Sequence, residues 1–502
     1  MMTARSLSRG LHSYPERGWL AAIISVGAGT VGGLILLISA LLYSPLIGVL
    51  ALFAAVAATA FVVYAPNIML LAMAFVTPLE RIGRFGDDLT LQTFSLMRIV
   101  GLAALLAVIA QMLLRRQPLV LSTPLALCAL LQAQAFASIT YALDPASTQA
   151  HAITMLGGLL MLFTIVQGVR SWRAVEATLL AWLVATLLIC LYQVYDWHFG
   201  AEISDLDIGS VSARFSTTLN ALSEKETLGA AKRAMGTTSN SAVYGINLLL
   251  ALPFVFYRMR VARSWPAAGF WAVGLVLVVY NLMLTNTRAV LILAVLMFSL
   301  IAALGLYRMT AVRALSAILM GAMLLPLLPQ SIWDRVLHLD AYDLENATNL
   351  QWRFNLWAAA LKLGGEHWLA GVGVGNRTAI ISYLDPLRFD GEWIMAHNEF
   401  LQIFTELGIP GLLVFMSFIG SLLLRSWRVM RQCNADPELS RMRWFAAASF
   451  CALLVAPVFG LQVDVFHFPL KGWWLVAGLI LVLDRLMRER IAQGERQVPH
   501  AA

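Results

Sequence analysis

The chain has 502 residues, 60% of them hydrophobic and 13% charged, with a formal net charge of +7. A mean hydropathy of +0.77 is more apolar sequence than a water-soluble core can absorb, and it points to an all-α polytopic membrane protein. The basic residues fall in short gaps between apolar runs, which excludes the concentrated basic face of a nucleic-acid-binding protein.

The N-terminus leads with Arg5, Arg9 and Arg17 and then runs apolar to about Tyr43. That is too long for a signal-peptide core, so an uncleaved first span is expected. About fourteen spans follow from the apolar runs, at roughly 18–42, 45–64, 66–80, 93–114, 122–142, 149–168, 175–197, 240–258, 267–284, 289–306, 311–328, 411–427, 444–462 and 472–486. The third and the last are short, so the expected count is twelve to fourteen.

Placing the N-terminus in the cytoplasm puts most basic gaps on one side, as the positive-inside rule requires. Those gaps hold Arg115 and Arg116, Arg170 and Arg173, Arg258 to Arg263, Arg308 and Arg313, Arg425 to Arg443, and the tail from Arg485. The exception is an outer gap where Arg81 and Arg84 stand beside Asp87 and Asp88. The expected organisation has three parts. Residues 1–328 are N-terminal spans with a periplasmic loop near 199–239, 329–410 are a large periplasmic loop, and 411–502 are C-terminal spans with a cytoplasmic tail.

The four cysteines make neither a disulfide framework nor a CxxC metal pair. Cys128, Cys190 and Cys451 lie in apolar runs and Cys433 in a basic loop. In the first outer loop, Ser239 or Asn240 can cap the span that follows. In the second, an amphipathic helix is expected over 349–363. Trp352 and Trp357 suit a position in the membrane interface. His397 to Leu407 is long enough for a three-turn helix, ended by Gly408 and Pro410.

Outer arginines are scarce under the positive-inside rule, so Arg233, Arg288, Arg353 and Arg377 near helix ends require a reason. Arginine binds phosphate oxygens in bidentate fashion and stabilises charge that grows on a leaving phosphate. The bland alternative is pairing with acids such as Glu345 or Asp385, or contact with lipid headgroups, and it weighs most for Arg377. An arginine inside hydrocarbon costs about 3 kcal/mol without a partner, which favours a function for Arg288. His397, next to Asn398, can take a proton from a hydroxyl or contact phosphate. Its bland reading is a surface histidine bonded to Asn398. Asp205 and Asp207 form a DxD, read as solvated loop acids. Asp464 and His467, in the last short outer loop, could reach the same site as His397. No Walker, HExxH or GxSxG motif is present.

His397-Asn398, nine residues, then Gly408-Ile409-Pro410-Gly411 resembles the H-N-x9-G-x-x-G signature of the O-antigen ligase family, related to the O-antigen and exopolysaccharide polymerases. Arg353 to Trp357 followed by Gly371-Val372-Gly373 resembles that family's R-x-x-x-W and G-x-G stretch. Thr287-Arg288, and Arg233 with Gly236 and Asn240, resemble its arginine positions more loosely. The resemblance implies a metal-independent, inverting, GT-C-type glycosyltransferase of the bacterial inner membrane, with no cofactor. Its donor would be a glycan on undecaprenyl diphosphate at the periplasmic face. The acceptor would be lipid A-core in a ligase, or a second lipid-linked repeat unit in a polymerase. His397 would be the essential histidine, as base or phosphate contact, and Arg233 and Arg288 the diphosphate arginines. Arg353, Asn398, Arg377, Arg214 and Glu406 are the expected substrate-binding residues. Two other classes compete: a secondary transporter, for which Arg98 inside an apolar run would be a feature, and a non-catalytic partner of a polysaccharide assembly machine.

Overall fold

The structure is a computed structural model that describes residues 66–79, 84–85, 94–199, 223–224, 233–238, 240–307, 343–383, 396–434, 439–463 and 470–497. The expected spans at 18–42, 45–64 and 311–328 lie outside these residues. Residues 70–101 and 120–502 form one compact unit, and residues 1–69 with 102–119 form another.

In chain order the helices are α1 (Pro66–Val76), α2 (Leu96–Leu114), α3 (Thr123–Ala137), α4 (Pro145–Gly168), α5 (Trp172–Phe199), α6 (Ser241–Val261), α7 (Trp265–Leu284) and α8 (Arg288–Ala303). There follow α9 (Asp343–Glu366), α10 (Glu399–Gln432), α11 (Ser440–Phe459) and α12 (Lys471–Gln497). Among the described residues, eight helices are long and apolar enough to cross a membrane. The protein is an all-α polytopic membrane protein. Its only described strands are two short antiparallel ribbons, β1 (Arg84–Phe85) with β2 (Phe94–Ser95), and β3 (Ser223–Glu224) with β4 (Arg233–Ala234).

The helix starts are written locally. Ser122, Asp144, Asn240 and Ser264 are N-caps whose side chains accept first-turn amides, and proline follows three of them inside the first turn. The expected cap at Asn240 is therefore the one used. Arg98 is exposed in the first turn of α2, at a helix end rather than in mid-span. All four cysteines are free and buried. Cys433 belongs to the packed C-terminus of α10, with its Sγ 3.8 Å from Met487 Sδ.

The main unit is built on α10, α11, α12 and α6. α10 packs on α3, α9, α11 and α12; α6 packs on α7, α8 and α11; α4 packs on α12. At one end of these helices the arginines are held. Arg425 and Arg488 both pair with buried Asp484, Arg488 at 2.8 Å. Arg485 donates to the Val166 and Val169 carbonyls at 2.9 and 2.6 Å, and Arg260 lies 3.8 Å over the Trp444 ring. The arginine-bearing ends of α4, α6, α10, α11 and α12 thus gather together, as the basic-gap register requires. The opposite ends carry the candidate site.

Two features of these helices concern that site. The span expected at 411–427 is continuous with the histidine helix in α10, across a break at Gly408 with φ 69° and ψ −170°. The helix expected over 349–363 is part of α9, which buries a face. Leu356, Ala359, Ala360 and Leu363 form a core with Val372, Ile380 and Ala396. Burying a leucine such as Leu356 contributes about 2 kcal/mol. Trp357 donates from Nε1 to the Ala396 carbonyl at 2.9 Å, one residue before His397.

Candidate functional site

The site is built around the break in α10. A helix carbonyl accepts from the amide four residues on, and the last turn has no such partner. For Glu406 that amide would belong to Pro410, which has none. For Thr405 it would be Ile409, whose N–H instead donates to the Trp368 carbonyl at 2.7 Å. The glycine loop supplies both missing donors. Val372 N–H reaches the Thr405 carbonyl at 2.9 Å and Gly373 N–H reaches the Glu406 carbonyl at 3.0 Å. The approach is close enough that a Cβ on Gly371, at φ +72°, would stand 2.3 Å from the Glu406 carbonyl. The two halves of the sequence signature are one hydrogen-bonded object.

At the other end of this short helix, Asn398 is the N-cap, and its Oδ1 accepts from Phe400 and Leu401 N–H at 3.1 and 3.2 Å. His397, just before it, is half-buried with a left-handed φ of 47°. The strained turn is tied from both sides. Trp357 holds the Ala396 carbonyl, and Glu399 N–H donates to the Gly460 carbonyl at the end of α11 at 2.7 Å. Glu406 is buried, and its Oε1 accepts from Gln402 Nε2 at 2.6 Å. As placed, both residues support the histidine turn.

A third segment holds the glycine loop from behind, and sequence reading missed it. Asn376 is 4% exposed and donates from Nδ2 to Thr148 Oγ1 (2.8 Å) and to the Val372 (2.9 Å) and Gly373 (3.0 Å) carbonyls. Its Oδ1 accepts from Asp144 N–H at 2.8 Å. Ser147 Oγ donates to the Gly375 carbonyl, and Tyr141 OH to the Ala370 carbonyl at 2.8 Å. Partial burial pushes the Tyr141 phenol above its usual range. Asp144-Pro145 marks a helix start in the sequence, but nothing there ties it to a loop more than 200 residues away.

The arginine junction lies at the same end of the bundle. α6 runs from Asn240 toward Arg260, which meets Trp444 at the start of α11, and α11 ends at Gly460 beside Glu399. Arg288 is the first residue of α8 and is exposed. Thr287 offers no side-chain cap to the α8 amides. Its Oγ1 donates to the Thr285 carbonyl and lies 3.3 Å from Ser241 Oγ. Arg233 is half-buried on β4, which packs against α6 and α7. Both arginine positions thus adjoin α6. Arg353 is half-buried on α9. The ion pairs found among the described residues involve none of these three. Arg377 opens a 3-10 helix, Arg377–Tyr383, and its side chain lies outside the described residues, as do Arg214, Asp205, Asp207, Asp464 and His467, and the side chains of Trp352, Glu345 and Asp385.

No curated protein matches the chain. Residues 273–416 match the family model for O-antigen ligase. The match begins inside α7 and ends just past the break in α10. It takes in Arg288, Arg353, Arg377, His397, Asn398 and Glu406, and leaves Arg214 and Arg233 outside. Residues 273–416 are thus similar to the O-antigen ligase family, which supports a ligase- or polymerase-type role in polysaccharide biosynthesis.

Proposed function

We propose that the protein transfers a glycan from undecaprenyl diphosphate to an acceptor hydroxyl at the periplasmic face of the bacterial inner membrane. The observation that carries this reading is the braced turn at His397, at the bundle end shared with Arg288 and Arg233. A donor with a diphosphate leaving group needs no nucleotide or metal for activation. It needs orientation and charge neutralisation.

In this reading the acceptor oxygen attacks the anomeric carbon and the new C–O bond forms. The bond from that carbon to the diphosphate oxygen breaks, and undecaprenyl diphosphate leaves with the electron pair. Charge grows on that oxygen. The exposed guanidinium of Arg288 meets it together with the α8 first-turn amides, which the Thr287 side chain does not cap. A helix N-terminus favours an anion through its unpaired N–H groups and its dipole. Arg233 supplies the second cation. His397, fixed by its neighbours on both sides, serves as the base for the acceptor proton or as a phosphate contact. Arg353 and Arg377 contribute positive charge to the glycan or diphosphate. The role of Asn398 and Glu406 is to hold the histidine turn.

The experiment is glycan transfer in proteoliposomes, from undecaprenyl-diphosphate-linked repeat units, with lipid A-core added or omitted. Lengthened lipid-linked glycan without lipid A-core identifies a polymerase. Product only with lipid A-core identifies a ligase. No transfer in either arm, with folded protein, contradicts the proposal.

A further inference from the structure

A cavity of about 360 Å³ opens behind the glycine loop, between the α3–α4 turn, the end of α9 and the 3-10 helix. It is lined by none of the site residues expected from the sequence. Leu143, Leu363 and Ala379 give it an apolar surface, and Asp144, His367, Ser382 and Tyr383 give it polar groups. Its volume falls in the range of small-ligand pockets, roughly 300–1,000 Å³. Asn376 also lines it, but the amide is spent on the loop.

The charges decide what the cavity takes. Asp144 is exposed and uses Oδ1 to cap α4 through Ala146 and Ser147 N–H. That leaves Oδ2 without a hydrogen bond from a described residue. At the rim, Tyr383 OH donates to the exposed Glu366 carboxylate, and this bond holds the phenol above its usual range. Lys362 Nζ lies 5.1 Å from the Tyr383 ring centroid. Among the described side chains, two carboxylates against one ammonium disfavour a diphosphate. Carboxylate oxygens, hydroxyls and an imidazole beside an apolar wall suit a neutral, hydroxyl-rich ring, whose O–H groups donate to the acids while its C–H face packs on the leucines.

We propose that this cavity binds a neutral sugar segment of the glycan, apart from the arginine junction that meets the diphosphate. The proposal rests on the transferase reading for its physiological ligand.

The test is saturation-transfer NMR on the full-length protein in detergent. The probe is the lipid-free oligosaccharide repeat unit released by mild acid from the lipid-linked glycan of the producing cells, with inorganic pyrophosphate as competitor. The expected result is contact with wild type that pyrophosphate does not displace. Arg288→Ala retains it, His367→Ala weakens it several-fold, and Ser382→Trp, which fills the cavity mouth, weakens it at least tenfold. His367 and Ser382 are both exposed, so neither change disturbs a buried contact. No contact with wild type, displacement by pyrophosphate, or equal contact with both cavity variants overturns the proposal. Binding is read without turnover, so the two readings separate. Cavity-dependent contact without glycan transfer would overturn the transferase and keep the sugar site, while His397-dependent transfer with cavity-independent contact would do the reverse.

Discussion

The amide of Val372 donates to the carbonyl of Thr405 at 2.9 Å, across more than thirty residues of chain. With the parallel bond from Gly373 to Glu406, it closes the helix that begins beside His397. The glycine loop is therefore a C-terminal cap made from another segment, and its integrity sets the position of the histidine turn.

Gly371→Ala tests that cap. A side chain at φ +72° costs about 1–2 kcal/mol, and here its Cβ also strikes the Glu406 backbone. The expected outcome is a lower Tm, by several degrees in detergent, with loss of glycan transfer. Gly365→Ala, in α9 with nothing within 4 Å of the added Cβ, should leave Tm unchanged or slightly raised.

Asn376→Asp replaces three donated hydrogen bonds with a carboxylate facing a hydroxyl and two carbonyls. A buried charge without its partners costs several kcal/mol. Thermal unfolding should show a larger loss than Thr148→Val, which removes one partner and costs about 1–3 kcal/mol.

Asn398 separates capping from substrate contact. Asn398→Ala removes the cap and should cost about 1 kcal/mol. Asn398→Asp keeps the acceptor and should keep most of the stability and the activity. Retained stability with lost transfer in Asn398→Asp would mean instead that the amide touches substrate.

Arg288→Ala changes an exposed side chain with no ion pair among the described residues. Its stability should stay within about 0.5 kcal/mol of wild type, while glycan transfer falls at least tenfold. Arg288→Lys keeps the charge and loses the fork, so transfer should recover only in part. Full activity in Arg288→Lys would reduce the arginine to a point charge.

Much of this architecture was legible in the sequence. Apolar run length located the described spans, and basic residues in alternate gaps set a register that the Arg425, Asp484, Arg488 and Arg485 contacts support. Asn240 and the Gly408–Pro410 break were readable because caps and breakers act locally. What could not be read was long-range pairing. Asp144 and Thr148 hold Asn376 through contacts that leave no periodic trace. The amphipathicity of α9 reports a buried face without saying what covers it; the cover is the glycine loop and Ala396. The cavity behind that loop had no linear signature, since it joins three distant segments.

The most direct measurement is release of undecaprenyl diphosphate from a lipid-linked glycan in proteoliposomes, compared among wild type, His397→Ala and Arg288→Ala. The account predicts acceptor-dependent release by wild type in the presence of chelator, and loss of at least tenfold in both variants with their folds intact. Release by folded His397→Ala at the wild-type rate would contradict it.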